Sequence, residues 1–282
     1  MDNSIREIYG SYEIPEEVYK LYTLERELNE IDLSLYMIGF QPCENDYFDP
    51  ISPPDFIPFA DTRGDGILFG FLTDFGRVST LQEAPIVCVS PTNDPPIRYI
   101  ADNIKEFLNL VSSVPHAEML EGFWAIPDDT QIQQVIMEFE KDTPSDWIEK
   151  RRKVAERFKG KFITKHVQIG TCLKQAQKNR AYLITTSTLD GLGIVGSKEY
   201  TTTYTKYPFD FNKYFNKSVD DHELASLNEY LKKSNRIEKL AFIRDVIYVI
   251  RTDFVFEENI FNLIIDLMES LNLHDEIHRF SR

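Results

Sequence analysis

Cysteine is scarce, and what there is sits far apart. Cys43, Cys88 and Cys172 make no CxxC pair and no zinc-finger spacing. A disulfide framework is therefore not the basis of the fold, and a reduced, cytoplasmic setting is expected. Long apolar runs are also missing. None approaches the roughly 18 residues needed to span a bilayer, and Met1-Asp-Asn-Ser-Ile-Arg6 has no apolar stretch of the secretory kind. No membrane partner is expected on these grounds. Positive charge is in short supply: 31 Lys and Arg stand against 46 Asp and Glu, a net charge of −15. That disfavours simple binding to a phosphate backbone, so no nucleic-acid partner is expected. Aromatics are plentiful, with 20 Phe and 14 Tyr, which excludes the composition of a disordered chain. The 282 residues suggest about two domains. A chain of that length can bury a core without disulfides or metals.

The charge is unevenly spread. Residues 1–150 hold 29 acidic and 9 basic side chains, whereas residues 151–282 hold 17 acidic and 22 basic. Such asymmetry suggests two modules with different surfaces. Between 151 and 180 there are ten Lys/Arg and one acid, Glu156. That stretch is either a solvated helix face or a surface for an acidic partner.

Hydrophobic spacing gives the order of elements. Pro15 to Asn29 reads as an amphipathic helix with Val18, Leu21, Tyr22 and Leu28 on one face. Residues 42–55 read as a loop. Phe56-Ile-Pro-Phe-Ala60, Ile67-Leu-Phe-Gly-Phe-Leu72 and Pro85-Ile-Val-Cys-Val-Ser90 read as strands, with Ile97-Arg-Tyr-Ile100 as a fourth. Short β-rich runs punctuated by Gly/Asp turns predict an antiparallel meander. Asp102 is the expected N-cap of a helix carrying Ile104, Phe107, Leu108 and Val111. Gln131–Glu140 and Trp147–Phe158 read as helices split by Thr143-Pro144. Phe162–Gln168, Arg180–Thr188, Gly193–Val195 and Glu199–Tyr207 read as strands. The tail has three helical stripes: Leu224, Leu227 and Leu231; Ile243, Ile247 and Ile250; and Ile260, Ile264, Leu267 and Leu271. The expected domains are 1–124, a helical connector at 125–158, and 159–282, a β-hairpin with a helical module.

The run from Ile14 to Val111 resembles the SUKH superfamily, which includes the yeast cell-wall-synthesis regulator and many bacterial immunity proteins. Four pieces carry the resemblance in order. They are Ile14-Pro-Glu-Glu-Val-Tyr-Lys-Leu21; Phe56-Ile-Pro-Phe-Ala60 with Gly64-Asp65-Gly66-Ile67; Pro85-Ile-Val-Cys-Val89; and Asn103-Ile-Lys-Glu-Phe-Leu108. Asp55-Phe56 stands where the family commonly has an aromatic before the strand, and residues beyond about 125 have no counterpart. The resemblance implies an α+β fold: an antiparallel-rich sheet flanked by helices, followed here by a mixed, mostly helical C-terminal region. It implies no catalytic residues and no cofactor. In bacteria it implies a protein that binds and neutralises a toxin domain, or a related intracellular role.

Motifs with chemical meaning are few. Gly191-Leu-Gly193-Ile-Val-Gly196 has G-x-G-x-x-G spacing, but the residues after it are β-branched and aromatic, not the helix a dinucleotide site needs. Asp74-Phe-Gly76 spells a kinase magnesium motif without the catalytic loop or the lysine strand that must accompany it. His274 and His278 stand at i and i+4, a spacing that can hold zinc, with no third ligand nearby in sequence. The expected function is non-catalytic protein binding. The alternatives are a cytosolic regulator or scaffold of the same family, or an enzyme whose site is assembled across the fold. The expected partner is a protein, possibly a basic toxin domain steered by acidic loops. The candidate contact residues are Asp61, Asp65, Asp74, Glu83 and Asp94, all between predicted strands.

Overall fold

The computed structural model describes residues 6–43, 51–126, 128–196, 220–253 and 258–281. The protein is α+β, with an antiparallel sheet and a helical C-terminal region. It divides into two compact units. The first comprises Met1–Asp49, Phe56–Thr73 and Arg77–Tyr182; the second comprises Pro50–Asp55, Asp74–Gly76 and Leu183–Arg282. The division differs from the expected one. The connector helices belong to the first unit because they bury Ile132, Ile136, Val154 and Phe158 in its core. Two short loop pieces of the expected 1–124 domain, Pro50–Asp55 and Asp74–Gly76, belong to the second.

The first unit is built on a five-stranded meander of β1 (Gln41–Pro42), β2 (Phe56–Asp61), β3 (Leu68–Leu72), β4 (Ile86–Val89) and β5 (Ile97–Ala101), each antiparallel to the next. Register follows the apolar pattern: Phe56 pairs Leu72, Leu68 pairs Val89, and Val89 pairs Ile97. β2 carries Pro58 and an irregularity between Pro58 and Ala60. A bulge of this kind offsets the missing proline N–H and bends the strand. Among the described residues, β1 is the partner on the outer side of β2, and it reaches Ala60 and Asp61 alone.

Helices cover the sheet: α1 (Glu16–Asn29), α2 (Ile104–Val111), α3 (Met119–Phe123), α4 (Asp129–Asp142), α5 (Ser145–Phe162) and α6 (Ile169–Leu183). Their apolar stripes converge on Phe40, whose ring lies 5.6–6.3 Å from those of Phe59, Phe69, Phe107 and Phe158. These are edge-on and tilted arrangements that the ring quadrupoles favour. α2 is capped by Asn103, whose side chain accepts from the Glu106 N–H at 3.0 Å. The cap sits one residue past the expected Asp102. That carboxylate instead accepts from the Tyr99 hydroxyl at 2.8 Å and the Asn179 amide at 2.5 Å.

The expected strand at 162–168 does not form. α5 runs on to Phe162, which packs on Phe158 at 4.7 Å, and ends at Ile163 in the left-handed region. The β-branched composition of this stretch is overridden by one more turn of aromatic packing. The strand expected at 180–188 is also shorter: α6 continues to Leu183, and β6 spans Ile184–Thr186. The strand expected at 199–207 lies outside the described residues.

In the second unit, β6 pairs antiparallel with β7 (Ile194–Val195). Among the described residues, the helices that follow are α7 (Asp221–Lys233), α8 (Arg236–Asp253), α9 (Glu258–Ser270) and α10 (His274–Phe280). α7 opens on a reciprocal cap between Asp220 and Glu223. Leu227, Leu231, Ile243, Ile247, Ile260, Ile264 and Leu267 form a core of their own, as the three stripes predict. Among the described residues, no helix is long and apolar enough to cross a membrane.

Candidate protein-binding surface

A meander places alternate turns at the same end of the sheet. The β2–β3 turn and the β4–β5 turn therefore lie side by side, and Gly66 approaches Pro91. Of the five acids singled out by sequence, this brings Asp61, Asp65 and Asp94 together and leaves Glu83 at the opposite end, in the β3–β4 connection. Asp65 and Asp94 are exposed. Asp61 is half-buried. It accepts from the Arg63 N–H at 2.9 Å and lies 3.3 Å from the Arg63 guanidinium, so part of its charge is spent on the turn. Glu83 is exposed and lies 3.5 Å from the Ser79 hydroxyl.

The turn leads on to Glu118 and His116, a His-x-Glu pair in the sequence without the cysteines of a zinc deaminase. Glu118 is held above the ordinary carboxylate range by burial, by Asp65 and by Glu121. Its Oε2 lies 3.5 Å from Nδ1 of His116. The His116 imidazole lies against the backbone of Gly39, where a Cβ would come within 2.2 Å of the ring and where φ is +60°. Only glycine meets both demands. Burial, reinforced by Arg151, lowers the His116 pKa and favours the neutral ring.

Beyond His116 stands Phe139 on α4, with ring centroids 6.4 Å apart, and the Arg151 guanidinium covers Phe139 at 5.1 Å. One turn back along α5 is Trp147, edge-on to Tyr36 at 6.2 Å. Tyr36 is 46% exposed, Phe139 36% and Val135 38%, while Trp147 is half-buried. A continuous strip thus runs from Asp65 through Glu118, His116, Phe139, Arg151 and Trp147 to Tyr36, all in the first unit. Arg151 itself is 4% exposed and pairs with Glu140 at 3.3 Å, so it props the aromatics from beneath; exposed aromatics beside acids have the composition of an interface core with a charged rim. The legible signal was the pair Trp147 and Arg151 at helical i, i+4 spacing. Its link to Tyr36, Phe139 and His116 is made by tertiary packing alone.

Asp74 departs from its expected role. It belongs to the second unit, and its side chain, 9% exposed, lies 3.6 Å from the guanidinium of Arg244. Arg244 is fully buried on α8. It donates to Asp55 at 2.6 Å and to Asp190 at 3.0 Å, and lies over the Phe75 ring at 4.9 Å. Asp74, Phe75 and Gly76 are all left-handed, with φ of 49°, 54° and 78°. The Phe75 N–H donates to Asp55 at 3.3 Å, and its ring sits in the core. The kinase-like triplet is thus a strained turn that inserts a phenylalanine. Burial raises the Asp55 carboxyl to about 6; Arg244 pulls it down, while Asp74, Glu276 and Asp190 push it up. One Asp55 oxygen, Oδ1, is buried without a hydrogen-bond partner.

The remaining motifs fall into structural roles. Gly193, with φ +62°, lies where a Cβ would strike Ile184 at 2.6 Å, so it closes the β6–β7 hairpin. The residues that follow Gly196 lie outside the described residues. His274 and His278 are exposed on α10. Among the described residues, no group of three or more metal-ligating side chains comes together. No family model matches the chain, and comparison with curated proteins finds no match.

Proposed function

We propose that this chain is a non-catalytic, cytoplasmic protein-binding module of the SUKH kind. On this reading it is an immunity-type protein that occupies and neutralises a basic toxin domain. The observation that carries the reading is the strip from Asp65 to Tyr36, which joins an acidic sheet end to exposed aromatics on one face of the first unit. The SUKH-like order of sequence pieces and the net charge of −15 support the same conclusion. The acids would draw a basic partner in, and the exposed aromatics would hold it: the first act on association rate, the second on dissociation. The test begins with capture of the partner from the native host, followed by binding kinetics. Trp147→Ala should speed dissociation about tenfold or more, and Asp65→Lys should slow association at low salt. A partner indifferent to both substitutions, or a substrate turned over above background, would refute the proposal.

A further inference from the structure

α5 ends in a way that is unfavourable to the isolated protein. The residue that caps it, Ile163, is left-handed at φ 52° and 91% exposed, the most exposed large apolar side chain among those described. Left-handed helix ends are normally glycine, because a Cβ, and above all a branched one, is strained there. An isoleucine here strains the backbone and leaves its side chain in water, with no return from folding. The tip is not loose. The Lys165 N–H donates to Asn109 Oδ1 at 2.9 Å and the Val167 N–H to Ser113 Oγ at 3.0 Å, so α2 holds the presenting loop.

The charge carried by this stretch of chain has one sign, although Glu27 of α1 and Asp129 of α4 reach it, Asp129 accepting from the Gly170 N–H at 2.7 Å. From Arg157 to Leu189 the chain contains no carboxylate and seven Lys/Arg, in a protein of net charge −15. Lys159, Lys165 and His166 are exposed around the tip. Lys161 is half-buried and reaches Glu27 at 2.8 Å. Along α6, Lys174, Lys178 and Tyr182 continue the exposed basic face.

We propose that the α5–α6 loop is a contact for an anionic bilayer surface, with Ile163 entering the interface and the lysines pairing with lipid phosphates and carboxylates. A bilayer is favoured over a protein because, among the described residues from 140 to 181, Ile163 is the one exposed large apolar side chain, and an interface accepts a lone aliphatic where a docked protein needs a wider apolar patch. Basic side chains near an anionic leaflet supply the second signal that a single apolar group needs. The absence of spanning helices does not bear on a contact of this kind.

Flotation of the full chain with lipid vesicles tests it. Wild type should float with phosphatidylcholine vesicles containing about 30 mol% phosphatidylserine, not with phosphatidylcholine alone, and should be released at about 0.5 M salt. Ile163→Gly should bind about tenfold more weakly, yet unfold at a higher urea concentration than wild type. Lys159→Glu with Lys165→Glu should abolish flotation. Failure of wild type to float would overturn the proposal and leave an acidic protein as the occupant. Unchanged binding by Ile163→Gly, or a lower urea midpoint, would overturn it equally.

Discussion

The first unit is held by interlocked phenylalanines, whereas the second has at its centre an arginine ringed by carboxylates. Around Phe40 stand the rings of Phe59, Phe69, Phe107 and Phe158. Around Arg244, three acids compete for one guanidinium, with Glu276 and Arg279 buried as a further pair at 3.3 Å. A hydrophobic core is insensitive to pH and salt. A buried network with more acids than bases is held only while its protons and geometry are right. The two units should therefore fail under different insults.

The largest effects should come from the two centres. Phe107→Ala removes a ring that touches Phe40, Phe59 and Phe69 and should cost about 3–5 kcal/mol in urea unfolding, with little dependence on pH. Arg244→Ala leaves its carboxylates buried and uncompensated and should cost about as much at neutral pH, but visibly less in mild acid. If both losses follow the same pH curve, the contrast between the units is wrong.

Asp74→Lys comes next. It would set a second cation beside a buried guanidinium and should destabilise by about 3 kcal/mol, where a freely exposed acid would lose almost nothing. Asp55 gives the pH dependence itself. Its folded-state value of about 6 exceeds its ordinary 3.8, so the folded protein holds a proton that the unfolded chain releases. Its stabilising contribution is full below pH 4 and disappears as the pH rises through 6, up to about 3 kcal/mol. Urea midpoints at about pH 4.5 and 7.5 for wild type and Asp55→Asn measure it: the variant should lose that slope.

Smaller effects are expected at the surface strip. Gly39→Ala meets both a left-handed backbone and the His116 ring, and should cost about 2 kcal/mol. Asp65→Lys and Asp94→Lys should change stability by less than about 0.5 kcal/mol while slowing partner association. A large loss of stability from either would mean that the sheet end is structural and not a docking face.

The meander was legible because its strands alternate sharply with Gly/Asp turns, and the tail helices because their stripes keep a 3.6-residue period. Phe162 was misread because aromatic and β-branched neighbours suggest a strand locally, while Phe158 decides the matter one helical turn away. Asp65 and Asp94 were legible as exposed turn acids. Asp74 was not, since the same loop chemistry serves a buried charge when an arginine 170 positions later reaches it. No spacing rule joins residues 55, 74, 190 and 244.

Pro58 has a consequence for how the molecule meets others at high concentration. On the outer side of β2 the β1 pairing ends at Ala60, the Phe59 carbonyl accepts from the Cys43 N–H at 3.2 Å, and Pro58 brings a bulge and no N–H to the strand before it. An incoming strand would find the hydrogen-bonding template broken midway, which frustrates sheet-to-sheet polymerisation at this edge. Recognition here must therefore be read by side chains rather than by shared backbone, and a crowded solution of the protein has one fewer route into fibres.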